Sequence, residues 1–200
     1  MVIYSKVSVA PSIEPISLSE AKSHLRVDHD DENSYITVLI QAARETVEKH
    51  TNRSLITQTR VMKMDYFPLE SQIYLLNGPV QTGVTVQYYN ASDVLTSFTD
   101  FWEDVDSDIA RIVPEDYWPE TYDKPNAVVI TYDAGYGDAS TNVPAPLRQA
   151  MLLLIAHFYE NRQNVIVSGS PTGALAIPFG AEVLMNPYVL DQSVHLGWRY

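Results

Sequence analysis

Histidines and carboxylates crowd one short stretch of the sequence: His24, Asp28, His29, Asp30, Asp31 and Glu32. Such side chains ligate divalent cations. An EF-hand loop, however, needs glycine at its sixth position and glutamate at its twelfth, and the stretch does not meet that template. The same acids suit the approach to a helix, whose N-terminal dipole favours negative charge. A solvated turn ahead of a helix is therefore expected, with no metal site. Gly169-Ser170-Pro171-Thr172-Gly173 lacks both the Gly-Lys-Ser/Thr of a phosphate loop and the Gly-x-Ser-x-Gly of a nucleophile elbow, and reads as a flexible or docking loop. Nine of the 25 acids fall within residues 100–123, where Arg111 is the one base. Paired carboxylates hydrolyse glycosides when a pocket raises one pKa. Here they lie in a loop-like run with Trp102, Tyr117, Trp118 and Pro119, so a solvated, self-repelling surface is expected. His157 has no evident nucleophile to serve and reads as a satisfied interior or interface imidazole. No catalytic residue and no cofactor are expected.

Composition narrows the classes further. The chain has 200 residues, 46% of them hydrophobic and 19% charged, the profile of an ordinary soluble globular protein. It holds no cysteine, which excludes disulfides, thiolate metal sites and thiol nucleophiles. Thirteen bases against 25 acids give a net charge of −12, the wrong sign for gripping nucleic acid by its phosphates. The opening residues Met1-Val2-Ile3-Tyr4-Ser5-Lys6 lack the pattern of a signal peptide. The longest apolar run, 151–156, is too short to span a bilayer.

An α+β fold is expected: a small helical bundle carrying an inserted antiparallel β region. Ser17-Leu18-Ser19-Glu20 has the form of a capping box and predicts a helix over about 17–27. Tyr35, Ile36, Leu39, Ile40, Ala43 and Val47 repeat at three and four, predicting a second helix over about 32–51. Arg44 with Glu48, and Glu45 with Lys49, are expected to pair on its wet face, and Asn52 suits a left-handed residue at its end. Period-two stretches at 55–65, 73–76, 80–89, 94–98, 109–113 and 127–132 predict strands, giving a β region over about 55–132. Pro144 and Pro146 introduce a third helix over about 146–161. Its run Met151-Leu152-Leu153-Leu154-Ile155-Ala156 is apolar on every side, so the helix either lies at the centre of the domain or is covered in part by a second chain. Residues 165–180 form a long apolar loop that is expected to dock on something. A short helical turn is expected over 182–186, before Pro187, followed by a tail from 191. The domain reading is residues 1–54 with 143–190 as a helical core, 55–142 as a β-rich insertion, and 191–200 as a tail.

Several stretches resemble one family. They are Pro15-Ile16-Ser17-Leu18-Ser19-Glu20-Ala21, residues 30–57 ending in Asn52-Arg53-Ser54-Leu55-Ile56-Thr57, and Tyr132-Asp133-Ala134-Gly135-Tyr136-Gly137. Val143-Pro144, Ala156-His157-Phe158-Tyr159-Glu160-Asn161-Arg162, Ile177-Pro178-Phe179-Gly180 and Met185-Asn186-Pro187-Tyr188 complete the set. Taken in order, they resemble the head–tail connector (adaptor) proteins of tailed bacteriophages, prophages and gene transfer agents. The resemblance implies a non-enzymatic structural part of the particle neck, assembled in the bacterial cytoplasm. Such proteins form a ring, commonly dodecameric, beneath the portal protein, extend the DNA channel and provide the platform for the next head-closure, stopper or tail protein. Double-stranded DNA passes through without specific binding, and no membrane is involved. Another neck ring, or a glycan-binding or carbohydrate-hydrolysing tail module, is the alternative reading.

Site expectations follow from the two lines together. Met151, Leu152, Leu153, Leu154, Ile155 and Phe158 are expected at a subunit interface, since a closed ring repeats one heterologous contact. Ile177, Phe179, Tyr188, Trp198 and Tyr200 are expected to dock on the portal or the next ring, because aromatic anchors concentrate binding energy. Asp28, Asp30, Asp31 and Glu32, or the acids of 100–123, are expected to line a channel from which DNA is repelled.

Overall fold

The computed structural model describes residues 3–69, 72–162 and 177–191. Its chain divides into two compact units: Met1–Ser12, Asn52–Asp138 and Leu190–Tyr200 form one, and Ile13–Thr51 with Ala139–Val189 form the other. The fold is α+β, as expected. Among the described residues no helix is long and apolar enough to cross a membrane.

In the helical unit, α1 (Leu18–Leu25) begins at the expected capping box. The Glu20 amide donates to Ser17 Oγ at 3.2 Å, and the Ser17 amide donates to Glu20 Oε2 at 2.9 Å. Arg26 closes the helix in the left-handed conformation, at φ +58°. Helix α2 (Asn33–Thr51) buries Ile36, Leu39, Ile40, Ala43 and Val47, the stripe its periodicity dictates. Asn52 follows at φ +54°, the left-handed conformation expected of it. Helix α3 (Ala145–Glu160) packs on α2, on α1 and on α4 (Phe179–Met185). Helix α4 starts three residues before the expected turn, directly after Pro178, whose fixed φ suits a helix start. Arg44 departs from the wet face assigned to it. Its guanidinium is buried, with Nε donating to Glu14 Oε2 at 2.8 Å and Nη1 to Glu48 Oε2 at 3.0 Å. Glu14 comes from the segment before α1, so the partner that draws Arg44 inward lies outside the helical period.

The β unit holds eight strands among the described residues: β1 (Ile3–Val9), β2 (Gln58–Met64), β3 (Ile73–Tyr74), β4 (Thr85–Tyr89), β5 (Leu95–Phe98), β6 (Phe101–Asp104), β7 (Arg111–Pro114) and β8 (Val128–Ala134). They form two antiparallel sheets, in the orders β1-β2-β8-β4-β5 and β3-β7-β6. Val128, Ile130, Tyr132 and Ala134 alternate inward with Met62, Met64 and Val86 on neighbouring strands, so one face of the larger sheet is core. Phe67 stacks on Trp118 at 4.8 Å and closes that core with Phe98 and Phe101. Two strands escape the sequence reading. In β1 the alternation Ile3, Ser5, Val7 against Tyr4, Lys6, Ser8 was present, but it pairs only with β2 and forms an edge. It places residues 1–12 with the sheet rather than with the helices. β6 lies inside the acid-rich stretch expected to be a solvated loop. Phe101 packs on the core, and Glu103 accepts the Gly83 and Val84 amides at 3.0 Å each.

Residues 55–57 do not belong to β2 as expected, and with Ser54 they lead into it. Their backbone bonds to loops: the Ser54 amide donates to Gly78 O at 2.9 Å, the Tyr136 amide to Leu55 O at 3.0 Å and the Thr57 amide to Gly137 O at 3.2 Å. Gly135 makes this approach possible. At φ +145°, a Cβ there would lie 2.5 Å from the Ile56 carbonyl carbon and from the Thr57 nitrogen. Two stretches that carry the family resemblance, 52–57 and 132–137, thus meet at one glycine. Gly135→Ala is expected to cost about 2 kcal/mol or more, because a backbone clash adds to the φ penalty. Gly83→Ala, at φ +94° with open space around it, is expected to cost only about 1 kcal/mol. Denaturant unfolding of the two variants separates clash from φ strain.

Candidate subunit and docking surfaces

Helix α3 is apolar all round, yet its faces have different fates. Leu147, Ala150, Met151, Leu154 and Ile155 recur at three and four and are wholly buried in the chain itself. The expectation that Met151, Leu154 and Ile155 reach a neighbouring subunit is thereby corrected. They fill the chain's own core because they share the stripe with Leu147 and Ala150 that turns toward α2 and α4. Leu152, Leu153 and Phe158 lie off that stripe and remain half-exposed. Of the six expected interface residues, these three keep surface that another molecule can cover.

Helix α4 extends the open apolar surface. Ala181 and Met185 turn inward, whereas Phe179 is 80% and Val183 49% exposed, four residues apart on one face. A Cβ on Gly180 would sit 3.5 Å from Leu153 Cδ1, so the start of α4 lies against the half-exposed side of α3. Ile177 and Tyr188 are half-buried, and Val189, just beyond the 3-10 turn Asn186–Tyr188, is exposed. Val183 and Val189 were not singled out from the sequence. The outward turn of Val183 follows from which side of α4 packs on α3. Trp198 and Tyr200, and residues 165–176 of the expected docking loop, lie outside the described residues.

The acids expected at a channel divide into free and engaged groups. Asp28, Asp30 and Asp31 are exposed on the turn before α2. Asp30 accepts from Lys22 Nζ at 2.6 Å and from Asn33 Nδ2 at 3.1 Å, and the Lys22 bond chiefly holds its carboxyl below the ordinary range. Asp31 lies 3.8 Å from His29 Nδ1. Glu32 is drawn into the fold, since Tyr159 donates its hydroxyl to Oε2 and Arg162 its Nη2 to Oε1. The Arg162 guanidinium also lies over the Tyr35 and Tyr159 rings, 4.6 and 4.7 Å from their centroids. This clamp ties the end of α3 to the start of α2. The acids therefore precede α2 rather than cap its first turn, which contains none. In the 100–123 run, Asp104 pairs with Arg111 at 2.9 Å, Glu103 binds backbone amides, and Asp100, Asp106, Asp108, Glu115, Asp116, Glu120 and Asp123 are exposed. Among the described residues no group of three or more His, Asp or Glu side chains is placed to hold a metal ion.

The model of the Phage gp6-like head-tail connector protein family matches residues 15–100, which carry α1, α2 and strands β2 to β5. The family that the sequence resembles and the family whose model matches are thus the same over this stretch. Three solved chains share the fold over nearly the whole length. One, from the neck of an empty gene transfer agent particle computed with sixfold symmetry, is 22% identical, covers 94% of this chain and 95% of its own, and has a TM-score of 0.74. Another, from the virion of a native gene transfer agent particle, is 24% identical, covers 92% of this chain and 94% of its own, and scores 0.77. A third, from the neck of a native particle computed with twelvefold symmetry, is 24% identical, covers 94% of this chain and 95% of its own, and scores 0.71. No curated protein matches the chain.

Leu154→Ala is expected to destabilise the isolated protein by about 2–4 kcal/mol through the cavity it leaves. Leu153→Ser is expected to change it by less than about 1 kcal/mol while impairing self-association; unfolding and sedimentation-velocity ultracentrifugation read the two effects separately. For the clamp, the Tyr159 hydroxyl and then Arg162 hold the Glu32 carboxyl below the usual range. A depressed carboxylate stabilises the fold in full above its ordinary pKa and loses that contribution as the pH falls through the depressed value. Glu32→Gln is expected to flatten the acid side of the melting-temperature profile, and an unchanged profile would count against the clamp.

Proposed function

We propose that this chain is a structural head–tail connector, a non-enzymatic ring component of the neck of a tailed bacteriophage or gene transfer agent particle. The observation that carries this reading is the coincidence of a connector-family match over residues 15–100 with fold similarity to particle-neck chains over more than nine-tenths of the protein. Copies of the chain join head to tail into a ring, twelvefold as in one of those necks. Leu152, Leu153 and Phe158 of α3 supply one side of the repeated contact, and their half-exposed apolar surface supports that assignment. Phe179, with Ile177 and Tyr188, docks on the portal protein or on the head-closure, stopper or tail protein that follows, together with Trp198 and Tyr200 of the tail. The ring assembles in the bacterial cytoplasm and extends the DNA channel.

The excess of acids supports a conduit for DNA rather than a clamp. A wall that repels phosphate lets the duplex slide without being trapped. Asp28, Asp30 and Asp31 are the exposed carboxylates of the helical unit that suit this role, with the acids of 100–123 as the other candidates. Electron microscopy of particles made without this protein tests the reading. Filled but tailless heads that leak DNA are the expected outcome, and complete tailed particles would reject it.

A further inference from the structure

The connector reading leaves unused a built polar network on the outer face of the three-stranded sheet. Register aligns Tyr74, Arg111 and Asp104 in one row across β3, β7 and β6, with Trp102 and Val113 in the next row. Residues two apart on a strand share a face, so these five and Gln72 lie opposite the buried Ile73 and Ile112. Arg111 Nε donates to Asp104 Oδ2 at 2.9 Å and its Nη1 to Gln72 Oε1 at 3.0 Å. Gln72 Nε2 in turn donates to the Tyr74 hydroxyl at 2.7 Å, and Ser107 Oγ donates to Asp104 at 2.9 Å. The groups are thus held in place yet open to solvent: Arg111 and Asp104 keep 41% and 32% of their side-chain exposure, and the Trp102 indole is 61% exposed beside them.

We propose that this face binds a neutral hexopyranose glycan, with a sugar ring stacked on Trp102 and its hydroxyls bonded to Arg111, Asp104 and Gln72. Size argues for a small ligand. Three strands at ordinary spacing give a patch of roughly 10–14 Å on a side, about 150 Å², whereas a stable protein interface needs about 800 Å² from each partner. Charge argues for a neutral one. Asp104 cancels Arg111 inside the network, and the exposed Asp106, Asp108, Glu115 and Asp116 on the connections flanking β6 and β7 repel phosphate, sialate and nucleic acid. Chemistry argues for a sugar. A pyranose presents apolar C–H groups to an indole face and, at its rim, hydroxyls that both donate and accept. Arg111 supplies donors, the Asp104 carboxylate acceptors and the Gln72 amide both. The inference concerns the β unit alone and stands whether or not the chain is a connector.

Nuclear magnetic resonance of the indole N–H signals in the full chain, titrated with maltohexaose, cellohexaose and chitohexaose, tests it. A saturable shift of the Trp102 signal with at least one of these is expected, with sialyllactose and deca-lysine leaving it in place. Trp102→Ala and Arg111→Met are each expected to weaken binding about tenfold, the loss of a stacking or charge-assisted contact, while Trp102→Phe retains part of it. Trp102 is exposed, so its variants test binding without threatening the fold. If none of the three neutral sugars gives a saturable Trp102 shift, the proposal fails. A Trp102 shift with deca-lysine alone would overturn it in favour of a basic protein segment.

Discussion

The helical unit depends on how α3 hides an apolar surface that runs all the way round it. Leu147, Ala150, Met151, Leu154 and Ile155 are sealed by the chain's own helices, which gives α2 and α4 something to pack on. Burying each large side chain contributes about 1.5–3 kcal/mol, so this stripe is a main source of the unit's stability. The remaining face cannot be sealed by the same contacts, because packing a cylinder from one side leaves the other side open. Leu152, Leu153 and Phe158 are what is left over, and exposed Phe179 and Val183 of α4 enlarge the surface. A stable core and an open apolar face therefore come from one helix.

Charge in the helical unit follows a related economy. Lys22, Arg44, Arg148 and Arg162 are each bound to carboxylates, with Arg148 held by Glu20 and the Pro15 carbonyl beside α1. In a chain with about half as many bases as acids, pairing bases internally leaves an acidic exterior. The same pairing fixes helix ends to one another, as at the Glu32–Tyr159–Arg162 clamp. Exposed pairs contribute little stability by themselves, and the shielded Arg44 pairs are the exception among these.

The family-like stretches gain a physical meaning once folded. Residues 52–57 and 132–137 are some eighty positions apart and contain no chemical signature. They meet where Gly135 lets one backbone lie against the other, and two backbone hydrogen bonds, Tyr136 to Leu55 and Thr57 to Gly137, cross that contact. The capping box at Ser17 and Glu20 is another such stretch, and its role is visible locally. These motifs are packing and turn solutions.

Local rules determined a good deal. The helices α1, α2 and α3, most strands, the left-handed Asn52 and the mixed α+β class follow from caps, periodicity and turn residues that act within a few positions of one another. Strand β6 was hidden because its composition, Phe101-Trp102-Glu103-Asp104, mimics a solvated loop, and only the partners of Phe101 and Glu103 make it a strand. Which side of α3 is core, why Arg44 turns inward, and how Trp102, Arg111, Asp104 and Tyr74 come to share a face were decided by tertiary structure alone. Each depends on groups brought together from distant parts of the chain, and neither period nor composition encodes which partner will be there.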